Sequence, residues 1–64
     1  MKVYRIKHKP SGLYYDIHKH KLSDNGAIVD MLPYADIGLV MAREKYHKQY
    51  HPSEFEIIEY ELKD

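Results

Sequence analysis

Hydrophobic and polar residues alternate over the first part of the chain, and this pattern predicts two strands joined by a turn. In residues 3–8 and again in residues 13–18, alternate positions place apolar side chains on one side of an extended chain. Between these segments, Pro10 presets the backbone for a turn and Gly12 can adopt a positive φ. We therefore expect an antiparallel hairpin.

Two further strands are predicted downstream. The pair Asn25-Gly26 is typical of a tight hairpin turn, and it precedes a short apolar run that predicts a third strand over Ala27–Leu32, ending at Pro33. The last strand is expected over Phe55–Leu62, where apolar and acidic residues alternate.

Helical spacing predicts one helix between the third and fourth strands. Asp36 is a suitable N-cap for a helix over Ile37–Tyr50, which Pro52 would stop. The apolar stripe of this helix consists of Leu39, Ala42, Tyr46 and Tyr50. Such a stripe is expected to pack on a sheet.

The element order strand-strand-strand-helix-strand predicts a small α+β fold. We expect one domain over residues 1–64, in which a three- to four-stranded, mostly antiparallel sheet carries one helix on one face. Because the helix would serve as a crossover, the last strand is expected beside the first strand and parallel to it. The expected core consists of Tyr4, Ile6, Leu13, Tyr15, Ile17, Leu39, Ala42, Tyr46, Ile58, Tyr60 and Leu62.

Charge is balanced overall but uneven along the chain. The 64 residues carry 10 basic and 10 acidic side chains, whereas residues 1–21 are strongly basic and residues 52–64 are strongly acidic. A neutral chain is not a general polyanion binder. If the two segments pair as strands, Arg5 and Lys7 are expected beside Glu59 and Glu61 in a cross-strand ladder on the sheet face away from the helix.

Composition narrows the class of protein further. The chain has no cysteine, which excludes disulfides and thiolate metal sites. It has no apolar run near the roughly 20 residues that a membrane span needs, and its charged start is not followed by the apolar segment of a signal peptide. We therefore expect a soluble, cytoplasmic protein that does not contact a membrane.

Three segments of the sequence, "YRIKHKPSGLYY", "LSDNGAIV" and "FEIIEYEL", carry a resemblance. They resemble a group of small, mostly uncharacterised bacteriophage accessory proteins that begin Tyr-Arg-Ile-Lys-His-Lys-Pro-Thr-Gly-Leu-Tyr and continue with a Leu-Ser-x-x-Gly turn. The matching positions here are Tyr4–Tyr14 and Leu22–Gly26, with Ser11 in place of the usual threonine. The resemblance implies a phage origin and transfers no catalytic residue. Residues 30–50 match no part of this pattern.

The histidines are the first candidates for chemistry. His47 and His51 have the spacing of one helical face, and His18 and His20 would share one side of a strand. Four imidazoles can make a tetrahedral metal site. Since no sequence feature brings the two pairs together, we favour solvated histidines and expect no metal and no cofactor.

Catalysis is the second candidate. The serines Ser11, Ser23 and Ser53 each fall in an expected turn, and no sequence feature places a base beside any of them. The glycines are isolated and do not form a phosphate-binding loop. We therefore expect that the chain is not an enzyme.

Two binding surfaces remain. Basic residues interleaved with an aromatic residue are typical of single-strand nucleic-acid binding, and the first hairpin offers Lys7, Lys9, Tyr14, Lys19 and Lys21. The start of the helix has a second side that is not part of the apolar stripe, made of Tyr34, Ile37, Val40, Met41 and Glu44. This second side is either a protein-binding patch or, if Tyr34 and Ile37 fold under the loop, part of the core.

We expect the chain to bind and occlude another protein through this second side of the helix. Tyrosine is enriched at the centres of interfaces, and seven tyrosines exceed what so small a core can bury. Together with the resemblance, this predicts a host protein as the partner, such as a defence, toxin or transcription component. The alternatives are a small nucleic-acid-binding protein that uses the basic hairpin and a homo-oligomeric module.

Overall fold

The computed structural model describes residues 1–63 and contains a four-stranded antiparallel sheet with one helix packed on one face. Its elements along the chain are β1 (Lys2–His8), β2 (Leu13–Asp16), β3 (Lys21–Ser23), α1 (Leu32–Lys45), a 3-10 turn (Pro52–Glu54) and β4 (Phe55–Glu61). The strands lie in the order β3-β2-β1-β4. The predicted α+β class is confirmed.

The first hairpin forms as predicted. Ile6 lies opposite Tyr15 in the antiparallel pair of β1 and β2, and Gly12 adopts a φ of 73° in the connecting turn. The predicted position of the third strand, however, was wrong, because the chain turns back immediately after β2. His20 takes a φ of 56° in that turn, and β3 follows at once.

The segment predicted as the third strand is not part of any of the four named strands. Only Val29 pairs with the sheet, through two backbone hydrogen bonds of 2.7 and 2.9 Å with Tyr4. Gly26 does not close a hairpin; it takes a φ of 61° where the chain passes close to Tyr14. The segment therefore returns the chain from the end of β3 to the beginning of β1.

The helix begins five residues earlier than predicted. Its first residue is Leu32, and Pro33 occupies the first turn, where the missing N–H would have no intrahelical partner in any case. Met31 is the N-cap, and Asp36 lies inside the helix. The helix ends at Lys45, before the predicted end.

Strand β4 lies beside β1 as predicted, but the two are antiparallel and not parallel. The residues around Val29 return the chain to the Tyr4 end of the sheet, so the helix starts there and runs towards His8. Strand β4 consequently starts opposite His8 and runs back, with Phe55 as the register partner of His8.

The prediction of which side of β4 faces the helix was also wrong. Phe55 and Ile57 pack towards the helix, whereas Ile58 and Tyr60 lie on the other face and Leu62 is exposed. Of the expected core, Tyr4, Ile6, Tyr15 and Ala42 are buried, and Leu13, Ile17, Leu39 and Tyr46 are half-buried. The buried apolar residues that were not expected are Val3, Ala27, Val29, Ala35 and Phe55.

Small residues let the helix lie close to the sheet. Ala35, Gly38 and Ala42 form its buried side. A Cβ at Gly38 would stand 2.6 Å from Ile6 Cδ1, so the two elements are in contact at this point. The longer residues of the predicted stripe, such as Leu39 and Tyr46, flank this contact.

The expected charge ladder does not form. In the register, Arg5 lies opposite Ile58 and Lys7 opposite Glu56. Glu59 and Glu61 point to the helix side of the sheet, where Lys2 Nζ lies 3.8 Å from Glu59 Oε2 and the N-terminal nitrogen 3.6 Å from Glu61 Oε1. Glu59 and Glu61 therefore do not neutralise Arg5. Within residues 1–63, no helix has both the length and the apolar character that crossing a membrane requires.

Candidate functional site

The side of α1 that points away from the sheet carries exposed apolar residues. We call this surface, made of Tyr34, Ile37, Val40 and Glu44, the helix outer face. The exposed fractions of Tyr34, Ile37 and Val40 are 54%, 56% and 55%. Because these residues recur at three-residue intervals, they form one continuous strip along the helix. The alternative in which Tyr34 and Ile37 complete the core does not agree with this exposure.

Met41 differs from the other predicted partner-binding residues. It is half-buried and packs against the core cluster that contains Ile6 and Phe55. Its position on the helix lies between the buried side and the outer face. Met41 therefore belongs partly to the core, and only its exposed part is available at the surface.

A polar rim borders the C-terminal end of the helix outer face. A shallow depression there is lined by Val40, Arg43, Glu44, His47 and Pro52. Arg43 Nε donates a hydrogen bond of 3.0 Å to the Pro52 carbonyl oxygen, and its Nη2 donates one of 3.4 Å to the Phe55 carbonyl oxygen. These bonds connect the helix to the start of β4 and fix the position of Arg43 at the rim.

A second candidate surface lies on the other side of the sheet. We call the side chains of β1, β2 and β4 that point away from the helix the open sheet face; its centre consists of Arg5, Tyr14 and Tyr60. The Arg5 guanidinium carbon lies 4.9 Å from the centroid of the Tyr14 ring and 5.5 Å from that of the Tyr60 ring. Both distances are in the range of cation–π attraction.

The hydroxyl groups of the two tyrosines also interact. A hydrogen bond from Tyr60 lowers the pKa of Tyr14, and the positive charges of Lys7 and Arg5 act in the same direction. Burial raises the pKa of Tyr60, and its hydrogen bond to Tyr14 raises it further.

The predicted basic hairpin does not form one cluster. Lys7 and Tyr14 are register partners on the open sheet face, and Lys21 lies opposite Asp16 on the same face. Lys9 follows β1, and Lys19 lies in the turn after β2, at the opposite end of that strand. The predicted nucleic-acid residues are thus divided between the face and its two ends.

His8 is a buried polar residue that sequence reasoning missed. Its exposed fraction is 1%, and it links Ser11 Oγ at 2.7 Å to Glu54 Oε1 at 2.8 Å. The hydrogen bond with His8 lowers the pKa of the Glu54 carboxyl. A signal was present in the alternation, since His8 falls on the same side of β1 as Tyr4 and Ile6.

We call the hydrogen-bonded group of Ser11, His8 and Glu54 the clasp, because it joins two turns of the chain. Ser11 Oγ also accepts a hydrogen bond of 3.2 Å from the Leu13 N–H, as expected for a serine that stabilises a turn. The His8 ring packs against both Tyr50 and Phe55, with ring centroids 4.0 and 4.9 Å away. The group thus fastens the first hairpin turn to the 3-10 turn before β4.

Three of the other four histidines form side-chain hydrogen bonds with nearby residues. His20 hydrogen-bonds the hydroxyl of the buried Tyr15, His47 Nδ1 lies 2.6 Å from the Glu44 carbonyl oxygen, and His51 Nδ1 lies 2.7 Å from Ser53 Oγ. Within residues 1–63, no three histidine or carboxylate side chains are grouped as ligands of one metal ion. The structure does not bring together the two histidine pairs that could have made such a site.

The fold and these surfaces describe a small α+β protein with two chemically different faces. The chain matches no protein-family model, and no curated protein or solved structure is significantly similar to it. The geometry of its own residues therefore carries the functional argument.

Proposed function

We propose that this chain is a protein-binding module that uses the helix outer face. The observation that carries the proposal is the apolar strip of Tyr34, Ile37 and Val40, each more than half exposed, on a helix whose opposite side is already filled. Contiguous exposed apolar residues bordered by polar groups are typical of protein interaction sites. Tyr34 can anchor such a contact, and Glu44 and Arg43 provide a polar rim.

The resemblance to bacteriophage accessory proteins supports a host protein as the partner. We propose that the chain acts in the cytoplasm of the host cell by covering a functional surface of a defence, toxin or transcription component. Such a mechanism is stoichiometric and needs no catalytic group in this chain. Association of two copies through the same strip is the competing use of the helix outer face.

The test replaces the two central apolar residues of the strip with acidic ones. Ile37→Asp combined with Val40→Asp is expected to leave the fold intact, because both side chains point away from the sheet. Met41 is not changed, since its substitution would disturb the core. Ile28→Asp is the matched control, because Ile28 has an exposed fraction of 59% and lines a depression with Arg5 and Tyr60 at the open sheet face.

The readouts are a melting curve, sedimentation and retention of proteins from host lysate. We expect the double variant to melt like the parent chain and to lose a partner that the parent and Ile28→Asp both retain. Loss of folding in the double variant would show that the strip is core. A change from dimer to monomer, without a lost partner, would assign the strip to self-association.

A further inference from the structure

The open sheet face has features that the proposed protein-binding function does not use. Tyr14 and Tyr60 lie on the two strands that flank β1, and both rings pack on the guanidinium of Arg5. The two tyrosines are half-buried, and α1 covers the opposite face of the sheet. Two aromatic rings are therefore held at the surface by a cation placed between them.

Arg5 has an unusual environment for a partly buried arginine. Its Nε atom is buried and has no hydrogen-bond partner within residues 1–63. No carboxylate in the same part of the chain forms an ion pair with it. The Arg5 guanidinium thus contacts the two tyrosine side chains, and within residues 1–63 its positive charge is not neutralised by an ion pair.

The charges around Arg5 are positive on balance. Lys7 and Lys21 lie on the same face according to the strand register. Asp16 is also on this face, but its carboxylate accepts hydrogen bonds of 2.9 and 3.1 Å from the N–H groups of the following turn. Glu56, opposite Lys7, is the remaining acidic group of the four strands on this face, since Glu59 and Glu61 point to the other side.

We infer that the open sheet face binds single-stranded nucleic acid. Tyr14 and Tyr60 would each stack on a base, and Lys7 and Lys21 would contact backbone phosphates. Arg5 would act as a positioning residue that orients both rings. Sequence-tolerant stacking on aromatic rings, combined with nearby cations, is the usual basis of single-strand binding.

Geometry favours a single strand over a duplex. The rings lie on an open sheet, and bases can stack on them only when they are unpaired and splayed outward. The register partners of Tyr14 and Tyr60 on β1 are Lys7 and Val3, so the two tyrosine backbones are about 16 Å apart along a diagonal of the sheet. Their rings nevertheless converge on Arg5. The site is therefore expected to hold a short stretch of few nucleotides and to bind weakly at physiological salt.

The test is an NMR titration of the isotope-labelled chain with a mixed-sequence single-stranded DNA of about twelve nucleotides at low salt. We expect the backbone resonances of Tyr14 and Tyr60, and the side-chain Nε–H resonance of Arg5, to shift. Those of Ile37 and Val40 on the helix outer face should not move. The same oligonucleotide annealed to its complement should bind more weakly.

Variants then separate stacking from charge. Tyr60→Leu is expected to weaken binding about tenfold, whereas Tyr60→Phe, which keeps the ring, should bind like the parent. Lys7→Ala should lower the salt dependence of the logarithm of the binding constant by roughly 0.7. The matched control is Lys48→Ala, an exposed lysine just beyond the C-terminal end of α1, which should change neither quantity.

Several results would overturn the inference. These are an absence of shifts at low salt, shifts confined to the helix side of the chain, equal binding of Tyr60→Leu and the parent, or tighter binding of the duplex. Because the helix outer face takes no part in this site, the double variant Ile37→Asp, Val40→Asp should retain oligonucleotide binding. Failure of this inference is thus distinguishable from failure of the proposed function.

Discussion

The helix outer face and the open sheet face both expose large side chains, but they differ in how charge is arranged. On the helix outer face, the apolar residues Tyr34, Ile37 and Val40 form the centre, and the charged residues lie at the rim. On the open sheet face, a cation forms the centre, because Arg5 lies between two aromatic rings. The first arrangement suits a dry protein contact, and the second suits an anionic ligand with flat groups.

The difference arises from the two-residue period of β4. Its register with β1 places Phe55 and Ile57 under the helix and Ile58 and Tyr60 on the open sheet face. The same period sends Glu59 and Glu61 to the helix side, close to Lys2 and the N-terminus. A shift of one residue would exchange both sets and place the glutamates beside Arg5. The chemistry of both faces therefore depends on this one register.

The largest expected effect tests which side of β4 is buried. Phe55→Ala should lower the free energy of unfolding by about 3–5 kcal/mol, because it removes a ring with an exposed fraction of 2% from the core. Tyr60→Ala, a comparable truncation on the open sheet face, should cost clearly less. Denaturant unfolding of the two variants measures the difference. Equal costs, or a larger cost for Tyr60→Ala, would mean that the two faces are assigned the wrong way round.

A smaller effect is expected at Gly26, which lies against Tyr14 of the open sheet face. Gly26→Ala should lower the free energy of unfolding by about 1–3 kcal/mol, because the residue has a φ of 61° and a Cβ there would stand 2.5 Å from Tyr14 Cβ. The displaced Tyr14 should also weaken oligonucleotide binding. Thermal melting and the NMR titration measure these effects. If binding were unchanged although stability fell, Tyr14 would have no role in the site.

The smallest expected effect concerns the clasp of Ser11, His8 and Glu54, which joins the first hairpin turn to the 3-10 turn before β4. The pKa of Glu54 is lowered by its hydrogen bond with His8, so the folded chain binds this proton less readily than the unfolded chain. This contribution to stability is present above about pH 4.5, where a free glutamate is ionised, and is lost as the pH falls through the lowered folded value. Glu54→Gln should therefore melt at a lower temperature near neutral pH and respond less to acid in this range. A melting temperature with the same acid dependence in both chains would exclude this contribution.

Much of the fold follows from local patterns. The first hairpin is predictable from alternation and from Pro10 and Gly12, and a helix in the second half is predictable from its spacing. The start of the helix was missed because Pro33 was interpreted as the end of a strand, whereas proline also fits the first helical turn. The sides of β4 were exchanged because both sides carry apolar residues, so alternation alone does not say which one is buried.

The two candidate sites also differ in how far they can be predicted from the sequence alone. The helix outer face is visible in the sequence, because it needs only the helical period of Tyr34, Ile37 and Val40. The group of Arg5 with Tyr60 depends on the pairing of β1 with β4, whose register partners are 47 to 59 positions apart in the chain. The contact of His8 with Glu54 has the same dependence. No local pattern contains this information.

The central claim, that the helix outer face binds a partner protein, is tested most directly by photo-cross-linking in host cells. A photoreactive amino acid replaces Val40 in one version of the chain. In another version it replaces Ile28, which is similarly exposed but lies beside Arg5 and Tyr60 at the open sheet face. The account predicts one discrete cross-linked product with a host protein from position 40 and none from position 28. The same product from both positions, a product from position 28 alone, or no product from either would contradict it.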